Sequence, residues 1–405
     1  MTQTIETLII GAGVIGSSTA MHLAKLGMTG IRVIDLDMEG TLSSSELNAG
    51  GVRATWVQPI NIQMSKITID YFAQVADEVG YKPCGYLWLH PESRWSPALQ
   101  ARERQLEMGW PVEAWDVAQL RNRVPFLDKT DGIAGAIFAP RDGLINPNLL
   151  KNHYREVARS LGVEFEDRTV LRETRYEKNS QSRVHAICER FEKVMSHETK
   201  LEIASSELKD LGRSKVEYHA QRVINCAGPW ASRVANILGY SVPSQPVRRQ
   251  VCIFDGRDVD LTPYGMIVDT SGVYFHPEAM NGLAGFANAD EPAGVHFEYD
   301  GERFFEERIW PALYERSTAF ERLKHVTGWA GLYEVSPDEC GIIGGARSGI
   351  FEAHSFSGHG VMHSYAAGLA LAEEIVFGKS KTLDISSLSG SRFEAGKLIH
   401  ENLVI

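Results

Sequence analysis

Apolar residues run through Leu8, Ile9 and Ile10 and stop at Gly11, and from Ser17 to Leu26 they recur at helical spacing. The opening of the chain therefore predicts a strand, a tight turn and a helix. A second apolar run at 31–34 predicts the next strand and ends at Asp35. Residues 38–53 are rich in Ser, Gly and Asn and read as a loop, followed by a helix over 59–75. The pattern then predicts a strand at 86–90, helices at 96–108 and 117–123, and a strand at 135–139. A helix follows from Pro147 to Leu161, with Asn146 as its cap.

Between 163 and 220 the apolar positions come in short runs separated by charges. The runs at 163–165, 169–173, 182–194, 200–205 and 215–221 all read as strands of a meander or extended hairpin with a solvated face. An apolar strand at 222–226 then enters the turn Ala227-Gly228-Pro229-Trp230 and a helix over 231–238. Strands at 247–254, 266–269, 273–276 and 283–286, joined by turns such as Asp269-Thr270-Ser271-Gly272, predict an antiparallel sheet. The stretch 304–317 reads as a helix interrupted by Pro311. Strands at 326–333, 341–344 and 350–355 lead to Phe356-Ser357-Gly358-His359-Gly360 and a long apolar helix over 361–377.

The chemistry lies at the glycine turns. Gly11, Gly13 and Gly16 fall in the G-x-G-x-x-G spacing between a strand and a helix. There the first glycine allows the turn, the second admits a pyrophosphate to the backbone, and the third lets the helix pack closely on the strand. Unpaired N–H groups at the helix start complete a dinucleotide site. Asp35, about 20 residues further on, is placed to accept from a ribose 2′-OH, which favours FAD or NAD over NADP, with Asp37 a weaker alternative. Ser43, Ser44, Ser45 and Asn48 lie on the loop that would face the middle of such a cofactor and carry donors for phosphate or ribityl oxygens. Ala227 and Gly228 offer a second close backbone approach. Gly358 and Gly360 flank a helix start whose positive end suits the anion of a reduced flavin, with His359 between them as a possible donor.

Composition narrows the class further. A length of 405 residues with 43% hydrophobic content predicts two or three domains with sizeable cores. The net charge of −11 argues against a nucleic-acid surface. Five scattered cysteines without C-x-x-C spacing suggest neither a disulfide framework nor a zinc site. With no signal-peptide pattern and no apolar run of about 18 residues, a cytoplasmic protein without a membrane span is expected.

The first glycine motif with Asp35, the interior Asn225-Cys226-Ala227-Gly228-Pro229-Trp230 and the terminal Phe356 to Gly360 occur in one order that resembles the D-amino-acid oxidase and sarcosine oxidase superfamily of flavoproteins. Phe304 to Trp310, Thr327 to Tyr333 and the ending from Arg392-Phe393 to Glu401-Asn402 resemble a sarcosine-dehydrogenase-like branch that includes the FAD-domain assembly factor of mitochondrial complex I. The resemblance implies an α/β fold with a discontinuous, Rossmann-like FAD-binding domain (1–80, 143–235 and 326–405). It also implies an α+β substrate domain built on an antiparallel sheet (81–142 and 236–325). FAD would add contacts at Val14, Ile15, Leu36, Ala49, Gly50, Gly51, Val170, Trp230, Gly331, Val361 and Met362. The implied activity is oxidation of a small secondary amine or amino acid by hydride transfer to flavin N5, with oxygen or a protein or quinone carrier as acceptor.

Under the same resemblance Arg53 is a cation beside the flavin ring, while Tyr274, Tyr333 and His359 line the reaction site. The family's flavin-attaching cysteine is replaced by Gly331-Leu332 before Tyr333, which implies non-covalent FAD. Its two cations for a substrate carboxylate fall at Trp56 and Met362, leaving Arg248, Arg249 and His363 as replacements. Its oxygen-activating lysine has no counterpart after Gln250, where Arg257 is the nearby cation. An FAD-binding assembly or interaction factor with little turnover is the alternative function, and a nicotinamide-dependent dehydrogenase a third.

Overall fold

The computed structural model describes residues 2–176, 184–192, 194–205 and 214–403. Its architecture follows from the opening strand, Thr2–Ile10, which pairs in parallel with Ile31–Ile34 on one side and Ser214–Asn225 on the other. Leu8, Ile9 and Ile10 are all buried, as a strand covered on both faces requires. The helices Val14–Lys25, Pro147–Ser160, Pro59–Gln74 and Gly360–Phe377 pack against one another over this sheet. Asn146 caps its helix as expected, its Oδ1 accepting from the N–H groups of Asn148 (3.0 Å) and Leu149 (3.1 Å).

The strand Ser214–Asn225 is long enough to do two jobs. Its first half carries Val184–Arg190 antiparallel, which in turn pairs with Thr169–Tyr176. Its last three residues pair in parallel with Ile350–His354, beyond which Ile342–Arg347 closes that edge of the sheet. The hairpin read from the sequence is thus an extension of the parallel sheet. Of the run read at 182–194, residues 182, 183 and 193 lie outside the described residues.

A second eight-stranded sheet runs in the order Lys324–Val335, Gln245–Asp255, Asn281–Phe286, Tyr274–Glu278, Met266–Val268, Tyr86–His90, Gly135–Ala139, Glu113–Trp115. It is antiparallel apart from the parallel pair Met266–Val268 with Tyr86–His90. Segments from 86–139 and from 245 onward therefore share one sheet. The boundary drawn at residue 326 falls inside its edge strand Lys324–Val335, whose pairing with Gln245–Asp255 places it in this layer.

Three local readings change. Residues 200–205 are not a strand but the end of the helix His197–Ser205. Leu201 and Ile203 alternate as a strand would, but six residues are too few to separate a period of 2 from 3.6, and the positions the fold buries, 200, 203 and 204, follow the helical period. The helix read at 96–108 starts earlier, as Glu92–Glu107. Within the loop 38–53, Gly51–Val52 forms a short ladder with Gly143–Leu144. Among the described residues no helix is long and apolar enough to cross a membrane.

Candidate active site

The turn after the opening strand requires glycine at two positions, 11 and 16. Gly11 has φ +105°, and a Cβ there would sit 2.3 Å from the carbonyl oxygen of Cys226. A Cβ on Gly16 would lie 1.9 Å from the oxygen of Gly11, so the third glycine sets helix against turn and lines no cavity. Gly50 is likewise structural, with φ +78° and its Cβ position 2.7 Å from the oxygen of Ile145. All the other residues named for the cofactor or for catalysis line one continuous cavity.

At the first end, Ser45 Oγ accepts from the N–H of Val14 (3.2 Å) and caps the helix start from the neighbouring loop. Both oxygens of Asp35 accept backbone N–H groups, Oδ2 from Ala12 (2.6 Å) and Oδ1 from Asp37 (2.9 Å), while burial pushes its carboxyl upward. Asp37 is held by Lys200 at 3.0 Å and by Thr41 at 2.7 Å. The loop serines and Asn48 fold the loop more than they reach outward. Ser44 Oγ donates to the carbonyl of Leu332 (2.6 Å), Ser43 Oγ accepts from Glu46 N–H (3.3 Å), and Asn48 Oδ1 accepts from Gly50 N–H (2.5 Å). The helix misread as a strand brings Ile203 and Ala204 to the cavity wall, where Trp230 Nε1 donates to the carbonyl of Ala204 (2.9 Å).

At the other end, Gly358 has φ +93°, and a Cβ would lie 2.1 Å from the ring of Tyr333. The turn and the aromatic are thus fitted to each other. His359 precedes the helix Gly360–Phe377. Its Nε2 is 2.8 Å from the carbonyl of Glu339 and so carries the proton, and its Nδ1 then accepts from Nδ1 of His363 at 3.2 Å. Burial lowers His359 to about 3, so the ring is neutral. The imidazole is therefore already satisfied on both sides by protein groups.

Arg53 is 2% exposed, not a surface residue. Nη1 donates to the carbonyl of Thr55 (2.6 Å) and Nη2 to that of Leu403. Its guanidinium carbon stands 3.5 Å from the ring centre of Trp56, 4.8 Å from Trp88 and 5.9 Å from Tyr86, so the cation sits in an aromatic cage. Below it, Asp142 accepts from Ala54 N–H (2.9 Å), Trp110 Nε1 (2.9 Å) and Thr55 Oγ1 (3.1 Å), and burial raises it to about 7. Tyr274 and Tyr333 are both desolvated, which pushes their phenols upward and keeps them neutral donors and acceptors.

The three replacement cations separate cleanly. Arg248 is bound by Glu291 (2.6 Å) and Asp300 (3.3 Å) and points away from the cavity. His363 is fully buried, is kept neutral by desolvation and does not line the cavity. Arg249, one residue along the strand and so on its opposite face, does line it, its guanidinium carbon 5.3 Å from the ring centre of Tyr333. Among the described residues no carboxylate comes within 4.0 Å of its nitrogens. Trp56 lines the cavity, and its Nε1 donates to Ser65 Oγ (2.8 Å). Sequence reasoning missed Tyr86, Met266 and Glu334 in the cavity wall. Tyr86 had a usable signal, since it shares a strand face with Trp88, but which face turned inward was not legible.

Two helix starts, close backbone approaches at Gly13 and Gly358, and a wall of aromatic and neutral phenolic groups form a site whose chemistry suits an elongated dinucleotide ending in a flat ring. Residues 6–374 match the DAO family, FAD dependent oxidoreductase. The chain is 31% identical over 436 residues to FAD-dependent oxidoreductase domain-containing protein 1 of Xenopus laevis, covering 98% of this chain and 85% of that one. Monomeric sarcosine oxidase of Bacillus sp. (strain B-0618) is 23% identical, with 97% of each chain covered. Among solved structures, L-proline dehydrogenase from P. horikoshii superposes with a TM-score of 0.83 at 22% identity, over 98% of this chain and 100% of that one, which shows a common fold.

Proposed function

The chain belongs to the DAO family of FAD-dependent oxidoreductases, and from that premise we propose that it oxidises a small secondary amine or amino acid carrying a carboxylate, giving an imine that water hydrolyses. The observation that carries this reading is Arg249, a cation in the cavity wall beside Tyr333 without a carboxylate partner among the described residues. Arg249 is part-exposed, Nη1 donates to the carbonyl of Arg248 (3.0 Å) and Nε is without a partner among the described residues, so an anion can complete the guanidinium. A substrate carboxylate would do so, bound in a bidentate fashion and steadied by the phenols of Tyr274 and Tyr333.

The chemistry that a bound flavin supplies is two-electron oxidation at a carbon next to nitrogen. Gly11, Gly13 and Val14 would hold its diphosphate, and Gly358 to Val361 its pyrimidine edge. Arg53, caged and desolvated, would stabilise negative charge growing at that edge. Trp56, Tyr86 and Met266 exclude water from the reacting carbon. Gly331 and Leu332 put no thiol before Tyr333, which supports non-covalent FAD. Under this reading the amine is held neutral and near the ring, and no side chain need act as a general base.

Anaerobic addition of N-methylated and free amino acids to the yellow protein tests the proposal. Bleaching of the flavin band by at least one of them is expected, and Arg249→Met should weaken that substrate about a hundredfold while sparing its decarboxylated analogue. A panel that never bleaches the band overturns it. If the same preparation holds FAD tightly and captures a protein partner, the assembly-factor reading takes its place.

A further inference from the structure

The chain beyond Gly396 reaches back to the reaction end of the cavity through one carboxylate. Glu401 is 1% exposed and lies at the start of the helix Pro59–Gln74. Its Oε2 accepts from Gln58 N–H (3.0 Å) and Asn61 Nδ2 (3.1 Å), and Val57 N–H lies 3.1 and 3.2 Å from its two oxygens. Oε1 also accepts from the N–H groups of Asn402 (3.1 Å) and Leu403 (3.2 Å). The same carboxylate thus fastens the segment just after Arg53 and folds the backbone at 402–403. The carbonyl turned inward by that fold, Leu403, is the one that accepts from Arg53 Nη2.

The tail is fixed upstream as well. Arg392 makes a buried pair with Asp338 (2.8 and 2.9 Å), whose Oδ2 accepts from Ile399 N–H (3.3 Å) and whose backbone carbonyl accepts from Glu401 N–H (3.0 Å). Anchored at both points, the segment has little freedom to let Leu403 drift. Arg53 has no carboxylate within 4.0 Å among the described residues, so the two carbonyls of Thr55 and Leu403 and the aromatic faces fix its orientation.

We propose that Glu401 is a positioning residue, acting through the Leu403 carbonyl to hold the Arg53 guanidinium at the flavin end of the cavity. The proposal rests on the reading that places the flavin ring beside Arg53. It makes the C-terminal segment part of the reaction site and not only a surface strap.

The test is the flavin midpoint potential, measured by dye equilibration of the holoprotein, which needs no amine and so stands apart from the substrate reading. Glu401→Gln and Glu401→Ala both remove the negative charge that Arg53 feels, but only the alanine also removes every acceptor. Loosening Arg53 takes fixed positive charge from beside the ring, so the alanine variant should have a lower potential than the glutamine variant, equivalent to about a fivefold loss in preference for the reduced form. Arg53→Lys cannot span both carbonyls, and in that background the two variants should differ less than twofold on the same scale. Glu401→Leu carries the comparison if the alanine variant does not accumulate. Equal potentials of the two variants, or the same difference with lysine at position 53, overturns the proposal. A merely structural role would lower the melting temperature and leave the potential in place.

Discussion

Buried histidines make the molecule acid-sensitive for a reason visible at single side chains. Desolvation holds His22 and His359 at about 3 and pushes His363 well below its ordinary value. Each is neutral when folded but takes up a proton on unfolding below its ordinary value of 6.5, so each contributes stability that is fully present above that pH and lost as pH falls toward the folded value. One such proton is worth about 1.4 kcal/mol per pH unit. His22 lies outside the cavity, its Nε2 without a hydrogen-bond partner among the described residues and its ring 4.5 Å from that of Tyr365. Replacing His22 by Gln should therefore reduce the slope of unfolding free energy against pH between about 6 and 4 by close to one proton, read from denaturant titrations at several pH values. Gly358→Ala is the sharpest single change at the site. The backbone strain alone costs about 1–3 kcal/mol, and the methyl group would collide with Tyr333. Lower FAD affinity and a lower melting temperature are expected together, and a variant with wild-type flavin affinity would refute the fit of turn to ring.

Elements were read from the sequence wherever a local signal agreed with tertiary packing. Asn146 followed by Pro147 marked a helix start, and the structure shows both cap hydrogen bonds. Asn146→Ala should cost about 1 kcal/mol in equilibrium unfolding and leave the flavin spectrum unchanged. The strand Gln245–Asp255 shows what an element adds to its residues: its period of 2 sends Arg248 to Glu291 and Asp300, and its neighbour Arg249 to the cavity. Swapping the acids on the outer face, as in Glu291→Gln, should therefore affect stability but not substrate affinity, which KM measurements on the variant can check. The helix His197–Ser205 was missed because its apolar residues fit two periods. What fixed it was burial of Lys200, Ile203 and Ala204 on one helical face, with Lys200 paired to Asp37.

At the scale of the whole molecule, the cavity is shared by residues of both sheets, with Ile10 and Ala353 from the parallel one and Val251, Met266 and Tyr274 from the other. A ligand filling it would bridge two layers whose contact otherwise depends on the buried apolar residues common to both. Adding FAD to flavin-stripped protein should raise the melting temperature in a concentration-dependent way, by an amount equivalent to about 2.7 kcal/mol at a hundred times the dissociation constant. Denaturation should release the flavin and leave the polypeptide colourless, since Gly331-Leu332 provides no attachment before Tyr333.

The sequence by itself determined the two glycine turns, the strand-turn-helix order around each, and the acid at Asp35. These depend on φ angles, close backbone approach and local periodicity, which are properties of a few neighbouring residues. Only the tertiary structure decided which of Arg248, Arg249 and His363 faces the cavity, that Arg53 is caged by Trp56, Tyr86 and Trp88, and that residues 324–335 join the second sheet. Those facts depend on pairing between strands that lie 69 to 90 residues apart and on a contact between Arg53 and Leu403, 350 positions away. No local pattern encodes such a meeting, because its free energy comes from burial and hydrogen bonding that exist only once the distant partners are in place.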